Sequence, residues 1–494
     1  MQKKTTSLMV GSATGLALLA ASAAFAGGAD IGPSSSAAPY LLATEPSGST
    51  TAVLTVGDTA ANGYRMAGIP DGMGAFDNGD GTFTLLMNHE LAADKGIVRA
   101  HGSAGAFVSR WRIDSRSLRV LSGSDQIQRV FAGDPVTGEF TPTTTTFTRF
   151  CSADLADRSA FAGHWRRLGT RERIFLNGEE AGPEGRAVAH VATGPDAGSS
   201  YLLPWLGRAS WENLVAKPRS GAQTVVVGMD DSTGGQVYVY VGAKQRRGND
   251  VQRAGLTGGK LYGLSIDGVD AESDATETPA GGLPFRLVEI PGAAAMTGAE
   301  LEAASTALGI SRLARPEDGS WDPSDPAGFY FATTAGFTGR THLWRLDFSD
   351  PRDVLAGGSA AIVVAGPAYD ATLSSAAQAG PRMMDNVTVN RLGQVLVQED
   401  PGGQDYVSGV FRYDPRTGAM ERVAQHSNAT FLPGSPGFLT NDEESSGIFP
   451  VPFLGRNRYL AVVQAHYATG DAETVEGGQL LLLTLARGSG RADD

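Results

Sequence analysis

The sequence predicts an all-β chain, a β-propeller of about six blades with inserted loops and little helix. Three observations predict it. Glycine makes up 65 of 494 residues without a collagen period, so tight turns are frequent. Apolar strands of two kinds alternate through much of the chain, at irregular intervals. Helical signal is confined to "MTGAELEAASTALG" (296–309), where Thr297 precedes Glu300 by three positions, the capping-box spacing. A pair of β-sandwiches is the alternative arrangement for such strands.

Strands of the first kind close on aspartate: "FVSRWRID" to Asp114, "KLYGLSID" to Asp267, "HLWRLD" to Asp347 and "GVFRYD" to Asp414. Most are followed by turn formers, as in "DPRTG". Strands of the second kind run straight into acids: "TFTLLMNHE" to Glu90, "RIFLNGEE" to Glu179 and Glu180, "TVVVGMDD" to Asp230 and Asp231, "QVLVQED" to Glu399 and Asp400. In a propeller, equivalent strands run toward one central channel, so these acids would meet at one mouth. "FDNGDGTF" (76–83) reads as a hairpin turn, since it lacks the third ligand and distal glutamate of a calcium loop. The region 268–295, opening "GVDAESDATETPAGGLP", reads as a surface loop.

The chain begins with Lys3 and Lys4, an apolar run from Leu8 to Ala20 and then Ala24-Phe25-Ala26. This order predicts a secretory signal peptide over residues 1–26, of the general secretory type, ahead of a single propeller domain over 27–494. The run is shorter than the roughly 18 apolar residues a membrane helix requires, and no later stretch approaches that length. The expected protein is a monomer without a membrane span, working in the periplasm or outside the cell. Its net charge is −13, and the leader holds two lysines and no acid, so −15 remains without it. Such a chain is a poor partner for nucleic acid or an anionic membrane surface, and any anion site must be made locally positive.

Converging carboxylates repel one another in a pocket of low dielectric, and hard cations such as calcium relieve that repulsion with oxygen ligands. Acids at strand ends also occur as solvated turn residues. With one cysteine, Cys151, the chain forms no intramolecular disulfide. That thiol is either a ligand or an inert buried group. His89 and His466 stand out among seven histidines because each lies at the end of an apolar strand. The sequence contains no G-x-S-x-G, H-E-x-x-H or Walker motif.

Six blocks, "FTRFCSADL", "IFLNGEEAG", "VVVGMDDSTGGQVYVYVG", "RPEDGSW", "DNVTVNRLGQVLVQED" and "DEESSG", follow in order those of PhoX-type alkaline phosphatases. The resemblance runs from about Asn88 to His466. It implies a β-propeller whose channel mouth carries calcium and ferric iron, with a cysteine among the iron ligands. Cys151 then resembles that iron ligand. Glu179 and Glu180 match the family's paired glutamates. Glu212 in "GRASWENL" matches a further metal ligand, with Trp211 where the family has histidine. In "ARPEDG", Arg315 would hold a phosphate oxygen and Glu317 a metal. Asp385, beside Asn386, together with Asp400 and Glu444, match the later acidic ligands.

The resemblance thus implies an exported metal-dependent phosphatase that hydrolyses phosphomonoesters of small molecules, with Ca2+ and Fe3+ as cofactors. Cations and Arg315 would supply the positive field, and no side chain need serve as nucleophile. Two alternatives stand beside it. One is a calcium-stabilised, non-catalytic binding propeller. The other is a calcium-dependent propeller hydrolase of other esters, phytase-like or lactonase-like. For Arg315 itself the alternative is a plain salt bridge to Glu317 or Asp318.

Overall fold

The computed structural model describes residues 27–163 and 168–486. The leader read over 1–26 lies outside these residues. Six strands surround the middle of the fold: Pro70–Asp77, Phe150–Leu155, Trp211–Ala216, Pro316–Trp321, Met384–Val389 and Glu443–Pro450. Each packs against the next, and the last returns to the first. From each inner strand an antiparallel meander runs outward. The second strands are Thr82–His89, Ile174–Glu179, Gln223–Asp230, Gly328–Thr333, Val395–Glu399 and Arg458–Ala468.

The two kinds of apolar strand hold different places in these meanders. The acid-ended ones are second strands, which finish beside the start of an inner strand. Phe107–Asp114, His342–Phe348 and Gly409–Asp414 are third strands, while Lys260–Ile266 is a fourth. The ring closes through the two ends of the described chain. Ser49–Thr55 pairs with Glu476–Thr484, and Leu41–Ala43 with Ala419–His426. Closure removes the open edge that an incomplete ring would leave.

Helix is scarce. The longest among the described residues is Gly298–Ala307, with Thr297 and Glu300 forming the expected reciprocal cap. No helix among them is long and apolar enough to cross a membrane. Asp77–Gly81 turns the chain between two paired strands, as the hairpin reading requires.

The region 268–295 departs from the surface-loop reading. Leu283–Glu289 is a strand that, with Gly358–Ala365, joins two neighbouring sheets into one of nine strands. Glu272 enters the interior, where its carboxylate accepts from Thr333 Oγ1 at 2.9 Å, His342 Nδ1 at 2.7 Å, Trp344 Nε1 at 2.9 Å and Ala314 N at 2.8 Å. A carboxylate so fully paired can be buried, which the charged composition of the loop conceals. His89 is likewise structural. It is buried, hydrogen-bonded to Gly68 O and Ser109 Oγ, and stacked on Phe107.

Candidate metal centre

In five inner strands the pairing with the second strand is broken near the start, between Pro70 and Met73, Phe150 and Ala153, Trp211 and Leu214, Pro316 and Gly319, and Met384 and Val387. Each break is a bulge, which sets extra residues against the partner strand and re-aims a side chain. The first residues in these bulges are Asp71, Cys151, Glu212, Glu317 and Asp385.

A second repeated contact places their neighbours. In five meanders the residue after the second strand, and in the sixth His466 near the end of Arg458–Ala468, donates its backbone N–H to the carbonyl two positions ahead of the inner-strand acid or thiol. Glu90 bonds Ile69 at 2.9 Å, Glu180 bonds Arg149 at 2.9 Å, Asp231 bonds Ser210 at 2.8 Å, Thr334 bonds Arg315 at 3.0 Å, Asp400 bonds Met383 at 3.0 Å and His466 bonds Asp442 at 2.9 Å. Four of the accepting residues, Ile69, Arg149, Arg315 and Met383, have φ of 50°, 45°, 62° and 45°. Such left-handed conformations cost side-chain-bearing residues about 1–3 kcal/mol each, so the surrounding ring imposes them.

The result is three linked groups. Asp71, Glu90 and Cys151 offer ligand atoms within 4.8 Å of one another, as do Cys151, Glu180 and Glu212, and again Glu212, Glu317 and Asp385. Cys151 and Glu212 each belong to two groups. Cys151 Sγ lies 3.2 Å from Glu180 Oε2. Two arginines flank the set. Arg149 reaches Glu90 Oε1 at 2.9 Å and Glu180 Oε2 through Nε at 2.9 Å. Arg315 holds Asp231 through Nε and Nη2 at 2.7 and 2.8 Å and Glu317 at 3.1 Å.

Two guanidinium groups do not balance so many acids. Burial, with repulsion from the other acids, pushes Asp71, Glu212, Glu317 and Asp385 well above the usual carboxylate range. Burial lifts Glu180 to about 7 and, with its acidic neighbours, raises the Cys151 thiol well above its ordinary value. Asp71 Oδ1 is buried without a hydrogen-bond partner. Carboxylates crowded this way hold protons or share a cation, and the oxygen-rich donor set with one sulfur suits metal ions.

Of the residues expected from sequence, Cys151, Glu180, Glu212, Glu317 and Asp385 come together in these groups, with Arg315 beside them. Arg315 pairs with Asp231 as well as Glu317, while Asp318 turns away to Asn213 and Val387 N. Asp400 and Glu444 border the groups without joining them. Burial raises Asp400 to about 7. Burial pushes Glu444 up too, but His466 more than offsets it and holds Glu444 below its ordinary value. His466, between Glu444 at 3.7 Å and Glu476 at 2.7 Å, rises against its burial to about 11.

Glu179 lies elsewhere, and its assignment as a ligand is corrected. Arg186 takes both of its oxygens, at 2.5 and 2.6 Å, and Thr148 N adds a third bond at 3.2 Å. It stands one residue before Glu180 on a strand whose successive side chains face opposite ways. The sequence reading omitted Asp71, Glu90, Asp231 and Arg149 from the site. Glu90 and Asp231 carried the strand-end signal, whereas Asp71 in "IPDGMG" reads as a turn.

Beneath the acids, the following residues of the bulges form a polar belt. Asn386 Nδ2 donates to Ser152 Oγ at 2.5 Å and its Oδ1 accepts from Gly447 N at 2.7 Å, while Asn213 Nδ2 donates to Asp318 Oδ1 at 2.5 Å. On the far side of this belt lies a cavity of about 730 Å³, walled by Met73, Leu155, Val215, Trp321, Val389 and Phe449. Asp154 faces it and, among the described residues, accepts only from Ala216 N, at 2.9 Å, and burial raises its carboxyl to about 7. None of the three groups lines this cavity.

The alkaline phosphatase PhoX family matches the sequence over residues 199–445. Among solved structures, Pseudomonas fluorescens PhoX in complex with vanadate, a transition state analogue, superposes with a TM-score of 0.66 at 13% identity, covering 90% of this chain and 96% of that one. A gluconolactonase from Xanthomonas campestris matches with a TM-score of 0.36 at 11% identity, over 85% of this chain and 87% of its own. No curated relative matches the sequence.

Proposed function

The chain belongs to the alkaline phosphatase PhoX family, and from that premise we propose that it hydrolyses phosphomonoesters of small molecules at the three linked groups, with calcium and iron as cofactors. The observation that carries the proposal is the excess of buried acid over cation in groups joined through Cys151 and Glu212. Glu212, Glu317 and Asp385 form an all-oxygen set, which suits calcium. The two groups sharing the Cys151 sulfur suit iron. Asp400 and Glu444 are proposed as outer ligands.

Bound cations supply positive charge that attracts a phosphate dianion and polarises its oxygens. The remaining work falls to the chain. Asp231 fixes the guanidinium of Arg315, whose side chain is 32% exposed, so its orientation is set before a ligand arrives. A planar fork held in this way suits the equatorial oxygens of a phosphoryl group as their charge develops. The belt of Ser152, Asn213, Asp318 and Asn386 backs the acids and keeps their backbone in place. The proposal includes export through the 1–26 leader to the periplasm or beyond, and a monomeric single propeller.

Metal analysis of the purified protein, paired with p-nitrophenyl phosphate hydrolysis at alkaline pH before and after chelation, tests the proposal. Iron and calcium together, with activity lost on chelation and restored by calcium, is the expected result. Bound metal without any phosphatase activity overturns it.

A further inference from the structure

We propose that Arg149 is a second phosphate-holding residue, the counterpart of Arg315 at another inner strand of the centre. The inference rests on the phosphatase reading above.

The equivalence of the two arginines follows from one repeated hydrogen bond. In each meander, a residue near or just after the end of the second strand donates to a carbonyl two positions ahead of the inner-strand acid or thiol. The residues carrying that carbonyl are Ile69, Arg149, Ser210, Arg315, Met383 and Asp442. Only two of them are cations. Both have left-handed backbones, at φ 45° and 62°. Both also reach back to the acid that ends the preceding meander's second strand. Arg149 meets Glu90 at 2.9 Å, and Arg315 meets Asp231 at 2.7 Å. Their second partners, Glu180 and Glu317, belong to different groups that share Glu212, and the arginines precede inner strands separated by one other, Trp211–Ala216.

Their exposure fits a role at the entrance. The Arg149 side chain is 48% exposed and that of Arg315 32%, while the carboxylates they touch are 2–16% exposed. Each guanidinium therefore lies between the buried acids and solvent. Cation binding by Glu90 and Glu180 leaves Arg149 to the entering dianion, as cation binding by Glu317 leaves Arg315. Two planar forks from separate inner strands grip a tetrahedral dianion in a way that one fork, or a lysine, does not.

The test uses Arg149→Gln and Arg149→Lys in the full chain, loaded with calcium and iron. Metal content, kcat and KM for p-nitrophenyl phosphate, and inhibition by inorganic phosphate are measured for each. With metal content unchanged, the glutamine variant should raise KM and the inhibition constant for phosphate by about tenfold or more, as loss of one charge-assisted contact predicts. The lysine variant should recover part of the loss. A fall in metal content parallel to the loss of activity would make Arg149 a clamp on Glu90 and Glu180 and overturn the proposal. Unchanged KM and phosphate inhibition in an active enzyme would overturn it while sparing the phosphatase reading. An inactive wild type that binds inorganic phosphate, with binding lost in Arg149→Gln, would support Arg149 and remove the phosphatase reading instead.

Discussion

Glu179 and Glu180 are chain neighbours with opposite destinations: Arg186 holds both oxygens of Glu179, whereas Glu180 faces the Cys151 thiol and Arg149. The difference separates stability from metal binding. Glu179→Gln should leave metal content intact and destabilise the fold by about 1–3 kcal/mol, because Arg186 loses its charged partner. Glu180→Gln should lower bound metal and hydrolysis with little change in denaturant midpoint for the metal-free chain. Metal analysis beside urea unfolding of both variants checks the pair. Equal metal loss in the two would contradict the separation.

Cys151 contributes to two of the three groups and supplies their only sulfur. Cys151→Ser should therefore remove iron while sparing most calcium, since a hydroxyl oxygen replaces the softer sulfur ligand. Elemental analysis of the variant decides this. Unchanged iron would reduce Cys151 to an inert buried thiol.

Glu317 joins the all-oxygen group and is also gripped by Arg315. Glu317→Gln should lower calcium content and kcat together, by about tenfold or more in rate if a cation contact with the reacting phosphate is lost. Activity that survives with calcium gone would show that this group has no part in the reaction.

Asp154 provides a pH dependence away from the three groups. Its folded carboxyl titrates at about 7, raised by burial above the ordinary value of 3.8. A raised carboxyl stabilises the fold where it is protonated, fully below the unfolded value. That contribution is lost as pH rises from about 4 through about 7. Because the group borders a cavity, the effect should amount to about 1–2 kcal/mol. Asp154→Asn should remove this part of the decline, as read from unfolding midpoints at pH 4 and pH 8 in chelator.

Acid-ended second strands made part of the centre legible in the sequence. Glu90, Glu180, Asp231 and Asp400 all follow apolar runs that must stop where hydrogen-bonded pairing stops. Which acid of a pair turns inward was not legible. Side chains alternate along a strand, and the bulges at Cys151 and Glu212 shift the register that decides the facing. Asp71 was hidden for a related reason, because a bulge containing Gly72 has the composition of a turn. Glu272 was hidden by its setting, since its partners Thr333, His342 and Trp344 lie far along the chain. The preference for a ring over paired sandwiches rested on strands recurring with the same ends, and the fold follows that recurrence.

The pairing of 49–55 with 476–484 ties the first meander to the last. The acids and thiol come from inner strands and the ends of second strands, distributed along the chain from Asp71 to Glu444. Until the closing pair forms, the first and last inner strands lack their neighbour, and Asp71 and Glu90 have no fixed position relative to Glu444 and His466. The part of the centre that joins the first and last meanders is therefore complete only once 476–484 has paired with 49–55. If export through the leader proposed above precedes folding, the ions would be drawn from the compartment of arrival, so the supply of calcium and iron there, rather than in the cytoplasm, would set how much active protein accumulates.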